Sequence, residues 1–196
     1  MKTKYLLFLG FLIPIVFWST LFICAWMFDE YNHLSRLVSE LGAIGTVSQY
    51  VFTTGLILCS LLSILFVIGL YRVCSYNNIS IIPVLLILTF TFSIAGAGLF
   101  PLPLELHGIL GMPSVLLILS PITALVLWGG KSIPGGIKLM SVLSLLIMSL
   151  GFLAFFPDVL SNFIGIKQRF FHLGWSVWFV YLSYSFFKLK YQKSNN

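Results

Sequence analysis

The sequence predicts an all-α fold, an integral membrane bundle of six transmembrane helices with a short interfacial helix after the first. Of the 196 residues, 59% are hydrophobic and 8% are charged, and the mean hydropathy is +1.06. These values lie outside the range of soluble domains. A helix needs about 20 apolar residues to cross a bilayer. The chain contains six such runs, at residues 5–28, 49–71, 79–100, 108–128, 137–156 and 170–187.

The first run follows Lys2 and Lys4, as the apolar part of a secretory signal would. That part of a signal is about 7–15 residues long, whereas this run extends over residues 5–28. We therefore expect it to be retained as a transmembrane helix. The six runs occupy nearly all of the chain, so we expect one transmembrane domain over residues 1–196.

The stretch YNHLSRLVSELGAIG, at residues 31–45, is unusually polar for this chain. Its apolar side chains recur with the period of one helix face and its ionisable side chains with the same period on another. The two sets are Leu34, Leu37, Val38 and Leu41, and His33, Arg36 and Glu40. The pattern predicts an interfacial helix over about 31–41, which Gly42 would end in the left-handed conformation.

The later runs carry two further polar stretches at their ends. In GAGLFPLPLELHGILGMPS, Pro101 ends the third run and His107 lies at the predicted N-terminus of the fourth. In GIKQRFFHLGWSVW, Arg169 and His172 are spaced i, i+3 at the start of the sixth run and share one helix face. We expect both stretches to lie near one end of the bundle.

Basic residues predict the orientation, because short cytoplasmic loops are enriched in lysine and arginine. With both termini cytoplasmic, only Arg36, Lys167 and Arg169 lie outside. The inner set is then Lys2, Lys4, Arg72, Lys131, Lys138, Lys188, Lys190 and Lys193. The protein is thus predicted to be a multi-pass protein of the plasma membrane, and its net charge of +6 reflects topology rather than nucleic-acid binding.

In the same orientation every acid and every histidine falls on the outer side, which the positive-inside rule does not require. We expect Glu40, His107 and His172, with Ser39 and His33, to converge on one outward-facing pocket. Glu40 would be a general base or ligand, the two histidines ligands or acid–base partners, and Ser39 a residue that orients them.

Three histidines, His33, His107 and His172, with a carboxylate and water would satisfy the ligand count of a catalytic zinc site. The ligands come from three separate segments, and no local metal-binding signature accompanies them. The three outer basic residues, Arg36, Lys167 and Arg169, are expected to bind an anionic headgroup.

The segments YNHLSRLVSELGAIG, GLFPLPLELHG and GIKQRFFHLGW, in this order across six runs, resemble the prokaryotic membrane proteins grouped as domain of unknown function 998 (DUF998). The resemblance covers nearly the whole chain, and its most specific part is SELG. It implies a fold and a polar site rather than a particular reaction.

Several functions fit these residues. One is a membrane enzyme that hydrolyses a lipid or lipid-linked substrate by acid–base or metal-assisted chemistry; another is a noncatalytic protein that binds membrane lipids or a partner. A haem or quinone redox protein would use His107 and His172 as axial ligands. A transporter is disfavoured because the centres of the runs are uncharged. Glu40 and Arg36 could instead form a simple ion pair, and the glycines near residues 96–111 could pack helices within one chain or between two.

Overall fold

The computed structural model describes residues 2–131, 133–156 and 158–192, and within these ranges all regular structure is helical. Five helical segments are long and apolar enough to cross a membrane: Thr3–Met27, Gln49–Asn77, Ile82–Leu99, Glu105–Trp128 and Ile137–Phe155. The protein is therefore of the multi-pass membrane type. Lys193, which was counted among the inner basic residues, lies outside the described residues.

The described residues form eight α-helices, of which the first seven build these five segments. They are α1 (Thr3–Met27), α2 (Gln49–Asn77), α3 (Ile82–Leu85), α4 (Ile87–Leu99), α5 (Glu105–Gly111), α6 (Leu119–Trp128), α7 (Ile137–Gly151) and α8 (Ile164–Gln192). Four 3-10 helices join them, at Val38–Gly42, Met112–Ile118, Phe152–Phe155 and Ser161–Phe163. The helices coincide with the predicted runs, although the predicted 49–71 continues to Asn77 and 170–187 begins at Ile164.

The last helix, α8, is not among the five candidate spans, so the predicted count of six is not confirmed by length and hydropathy. Three of its serines nevertheless face inward. Ser176 is bonded to its own helix, and Ser183 donates to Leu7 of α1. Ser185 donates to Pro134. These serines lower the hydropathy of α8 although neighbouring helices bury them.

The core of the bundle lies where α8 packs against α1, α2 and α7. Trp175, Trp178 and Phe179 of α8 are fully buried. Close approach of α7 and α8 depends on glycine: a Cβ at Gly174 would lie 2.6 Å from the backbone nitrogen of Met148.

The predicted interfacial helix over about 31–41 is not confirmed. Residues 33–35 form a turn, and only Val38–Gly42 is helical, as a 3-10 helix. Side chains replace the carbonyls that an α-helix would offer: the Leu34 amide donates to Asn32 Oδ1 at 2.8 Å and the Val38 amide donates to Gln168 Oε1 at 2.7 Å. Gly42 is not left-handed; its missing side chain makes room for the Phe52 ring.

Three connecting segments meet at one end of the bundle, which we call the histidine end. They are residues 28–48, residues 100–104, and residue 156 with residues 158–163. The Ile44 amide donates to the Leu102 carbonyl at 2.8 Å, and the Ile166 amide donates to the Leu34 carbonyl at 3.2 Å. Segments 78–81 and 129–136 lie at the opposite end, where the Trp128 indole donates to the Ser80 carbonyl at 2.9 Å. The polar stretches of the sequence thus share one end, as predicted.

Candidate functional site

A cavity of about 370 Å³ lies at the histidine end. Most of its lining is apolar, from α1, α2, α4, α5, α8 and three 3-10 helices, Val38–Gly42, Met112–Ile118 and Phe152–Phe155. The polar lining residues are Ser39, Ser93, His107, Ser114, Gln168 and His172. No lysine, arginine, aspartate or glutamate is among the described lining residues.

Interruptions of two helical segments shape the cavity wall. The fourth segment changes from α5 to the 3-10 helix Met112–Ile118, where Pro113 removes a backbone donor. The fifth ends in the 3-10 helix Phe152–Phe155. Residues of both line the cavity, and Met112 and Phe155 are 52% and 51% exposed. Half-exposed apolar side chains of both segments therefore line the cavity.

His172 lies in α8, two turns from its start, and lines the cavity. The Trp175 indole donates to His172 Nδ1 at 3.1 Å, and the Phe17 ring lies against the imidazole with centroids 4.8 Å apart. The other ring nitrogen, Nε2, is buried and has no hydrogen-bond partner in the described part of the chain. Such buried polar atoms are uncommon and call for an explanation.

His107 lies in the first turn of α5, close to the helix N-terminus as predicted. Its Nδ1 contacts two carbonyl oxygens at the end of α4, Phe100 O at 3.0 Å and Ala97 O at 3.2 Å. These bonds fix the imidazole against α4, and the residue lines the same cavity as His172.

Ser39 is the third predicted residue at the cavity. It lies in the 3-10 helix Val38–Gly42, which Gln168 of α8 holds in place by accepting the Val38 amide at 2.7 Å. Gln168 itself lines the cavity. Of the five residues that the sequence placed in one pocket, Ser39, His107 and His172 thus line the same cavity.

Glu40 does not line this cavity. Its Oε1 accepts the Leu37 amide at 2.8 Å, closing the first turn of the 3-10 helix. Its Oε2 lies 4.0 Å from Arg36 Nε in a solvent-accessible ion pair. Because the carboxylate is turned toward its own backbone, the predicted convergence of Glu40 with the histidines is not observed.

His33 lies in a separate cluster with Arg169 and Tyr31. Arg169 Nη2 donates to His33 Nδ1 at 3.1 Å and to the Tyr31 hydroxyl at 2.8 Å. Partial burial, and then the Arg169 charge, lower the pKa of His33, and burial raises the pKa of Tyr31. Within the described ranges no three His, Cys, Asp or Glu side chains are grouped to hold a metal ion, so the predicted zinc set of His33, His107 and His172 is not assembled.

The three predicted headgroup ligands have internal partners. Lys167 is 1% exposed and donates to the Phe156 carbonyl at 3.0 Å. Arg169 Nη1 donates to the carbonyls of Arg36 at 3.1 Å and Gly165 at 2.9 Å. The Arg36 guanidinium lies over the Phe28 ring. Their role in binding a headgroup stays a prediction, but these contacts explain their presence without a ligand.

Sequence reasoning missed most of the cavity wall. Trp175, which does not line the cavity but bonds to His172, could have been found as a supporting residue, because it is spaced i, i+3 from His172 on one helix face. Ser93 and the rings of Phe17, Phe90 and Phe171 carry no signal that separates them from other residues inside apolar runs.

Comparison with known proteins identifies a family model that covers most of the chain. Residues 11–185 match the model of a family described as protein of unknown function (DUF998). No curated protein and no solved structure matches the chain.

Proposed function

The chain belongs to the DUF998 family, and we propose that it binds a membrane-derived amphiphile, with the hydrocarbon part of that lipid in the cavity at the histidine end. The single observation that carries this proposal is an apolar cavity in a membrane bundle, with no charged residue in its described lining and with half-exposed apolar side chains at its border. Small-molecule sites are commonly concave and apolar, with volumes of about 300–1,000 Å³ and a few polar groups.

We place the opening of the cavity between the fourth and fifth helical segments, so that a ligand enters it from the bilayer. Met112 and Phe155 border it, and both side chains are about half exposed. At the opposite end of the same two segments, α6 packs directly against α7. The two segments therefore diverge toward the histidine end, and a lipid chain can pass between them without crossing a polar loop.

In the proposed membrane arrangement α8 is the sixth span, both termini are cytoplasmic, and the histidine end faces outward in the plasma membrane. The 29-residue length of α8 suffices to cross a bilayer, and its serines are bonded within the bundle. The orientation rests on the distribution of lysine and arginine. The ligand would then come from the outer leaflet.

Binding is favoured over hydrolysis by the placement of the acids. A hydrolase built as the sequence suggested would need Glu40 beside the histidines to activate water, and Glu40 caps a 3-10 helix outside the cavity. Without a carboxylate or a grouped metal site, the cavity offers hydrogen bonds and apolar surface. These suffice for recognition of a lipid.

The test is photolabelling of the purified protein in lipid nanodiscs with a long-chain lipid that carries a photoreactive group. Gly111→Leu adds bulk inside the cavity, because a Cβ at this position would meet only the Ala97 Cβ at 3.7 Å, and Ala97 is itself a lining residue. Gly130→Leu is the matched control, since a Cβ there meets nothing within 4 Å and the residue does not line the cavity.

We expect Gly111→Leu to reduce labelling about tenfold, the effect of losing about 1.4 kcal/mol of binding free energy, and Gly130→Leu to leave it unchanged. Equal labelling of the two variants, both folded by thermal melting, would overturn the proposal.

A further inference from the structure

A second concavity, which we call the α8 groove, runs along α8 between α1 and α7. Its volume is about 480 Å³, and its lining includes Val177, Val180 and Tyr184 of α8, Phe11 of α1 and Met140 of α7. Val180 and Tyr184 are 38% and 43% exposed, so the groove is part of the outer surface of the bundle. It shares no lining residue with the cavity at the histidine end.

The polar groups inside the α8 groove already have partners in the fold. The Ser176 hydroxyl accepts the Trp18 indole at 3.1 Å, and the Tyr181 hydroxyl donates to the Pro134 carbonyl at 3.3 Å. From Ser176 to Tyr184 the groove follows eight residues of α8, which is about 12 Å. Over this length it offers apolar surface, which suits a hydrocarbon chain.

One end of the α8 groove carries a cation. Lys188 is exposed; its ammonium lies 4.5 Å from the centroid of the Tyr184 ring and donates to the Tyr184 hydroxyl. An ammonium only donates, so the tyrosine oxygen is the acceptor and its own hydrogen stays available. The pair therefore combines a positive charge with several donors, a combination that favours an anionic group rich in acceptors, such as a phosphate.

The charges of the fold leave this cation without an acidic neighbour. The Ser183 hydroxyl donates to the Leu7 carbonyl at 2.7 Å, so Lys4, one turn before Leu7, lies toward the same end as Lys188. The acidic residues lie in the connecting segments of the histidine end or directly after them: Asp29, Glu30, Glu40, Glu105 and Asp158. A counter-charge for Lys188 must therefore come from outside the chain.

We propose that the α8 groove binds an anionic phospholipid, with one acyl chain along Val177 and Val180 and the phosphate at Lys188 and Tyr184. In the proposed membrane arrangement this end lies at the cytoplasmic leaflet, which is rich in anionic lipids. A second copy of the chain fits less well, because in the same orientation it would bring lysines against lysines. The proposal concerns a different site from the cavity at the histidine end and does not depend on it.

The test is photolabelling in nanodiscs with phosphatidylglycerol and phosphatidylcholine that carry the same photoreactive acyl chain. Mass spectrometry of the peptides then locates the label. We expect phosphatidylglycerol to label residues 176–184 about fivefold more than phosphatidylcholine, the effect of about one lysine near a membrane surface.

Two lysine variants test the charge. Lys188→Gln keeps a neutral hydrogen-bond partner for Tyr184 and removes the charge, so we expect the two lipids to label equally. Lys138→Gln is the matched control. Lys138 is exposed at the same end of the bundle, but a Cβ at Gly129 would lie 3.5 Å from its Cε, so its side chain lies near the end of α6 and it does not line the groove. We expect this variant to keep the fivefold preference.

Two valine variants test the groove itself. Val180→Phe adds bulk at a lining position, and we expect the label of both lipids in residues 176–184 to be lost. Val126→Phe is the matched control, because Val126 is 74% exposed on α6 and does not line the groove. We expect this variant to label as the wild-type protein does.

The proposal would be overturned by equal labelling with the two lipids in the wild-type protein, or by a preference that Lys188→Gln leaves unchanged or that Lys138→Gln also removes. Labelling that persists in Val180→Phe would show that no acyl chain lies in the groove. A dimer that native mass spectrometry detects and that Val180→Phe dissociates would assign the groove to a second copy instead. The cavity at the histidine end is tested separately by Gly111→Leu, so the two failures are distinguishable.

Discussion

Replacing Arg169 with methionine should loosen the segment of residues 31–42 from α8. The guanidinium makes four hydrogen bonds, and three of them cross to that segment, to the Tyr31 hydroxyl, His33 Nδ1 and the Arg36 carbonyl. The fourth remains within α8, to Gly165. The variant Arg169→Met keeps an apolar stem of similar length and removes all four donors.

The magnitude follows from the three crossing bonds. A hydrogen bond to a charged group contributes about 1.5–3 kcal/mol to stability. The three bonds share one half-buried guanidinium, so their contributions do not add fully, and we expect the free energy of unfolding to fall by about 2–4 kcal/mol. The bonds of Val38 to Gln168 and of Tyr31 to Leu37 remain, so the bundle should stay folded.

The assay is denaturant unfolding in detergent micelles together with hydrogen exchange of the amides in residues 31–42. Arg36→Met is the matched control. The Arg36 side chain is 40% exposed and its nitrogen lies 4.0 Å from the Glu40 carboxylate, a pair that contributes less than about 1 kcal/mol. Its backbone carbonyl, which Arg169 uses, is unchanged. If Arg36→Met destabilises the protein as much as Arg169→Met, or if exchange in residues 31–42 does not rise in Arg169→Met, the structural role of Arg169 is wrong.

Two further predictions concern packing and pH. Gly174→Ala should destabilise the protein by about 1–3 kcal/mol, because the new Cβ would lie 2.6 Å from Met148 N and 3.0 Å from Met148 Cα. Gly108→Ala, whose Cβ meets nothing within 4 Å, should stabilise it by about 0.5–1 kcal/mol. Thermal melting that ranks the two variants in the opposite order would contradict the packing of α7 against α8. The pKa of His33 is lower in the folded protein than its ordinary value of 6.5, so the unfolded chain takes up the proton first as the pH falls. The contribution of His33 to the free energy of unfolding should therefore be fully present above pH 6.5 and be lost as the pH drops below it. Melting temperatures between about pH 8 and pH 5 should show this loss in the wild-type protein and a smaller one in His33→Asn, which keeps an acceptor for Arg169 and does not titrate; equal losses would show that His33 is not the group responsible.

Hydropathy predicted the helices well because lipid-facing and buried positions of a membrane bundle are both apolar. It failed where polar atoms find partners far away in the chain. The amphipathic period in residues 31–41 suggested an α-helix, but the Val38 amide bonds to Gln168 of α8, a partner that no local pattern reveals. The break at Met112–Ile118 was likewise missed, although Pro113 is a local reason for it.

The site was predicted only in part, because residues that are unusual in an apolar chain can be recognised in the sequence but their partners cannot. His107 and His172 stand out in an apolar chain, and both line the cavity together with Ser39. Glu40 and Arg169 stand out equally, but they bond to the backbone or to neighbouring polar side chains outside it. Sequence shows which residues are chemically unusual in a membrane. It does not show whether such a residue satisfies its polar atoms within the fold or presents them to a ligand.

The most direct test of the account is an experimental structure of the protein purified from its membrane in nanodiscs, at a resolution that shows bound lipid. We expect elongated density inside the cavity between Phe17, Phe90 and Phe171, continuing past Met112 and Phe155 to the surrounding lipid. A cavity filled by side chains, or one that holds water alone while ordered lipid lies elsewhere on the bundle, would contradict the proposal.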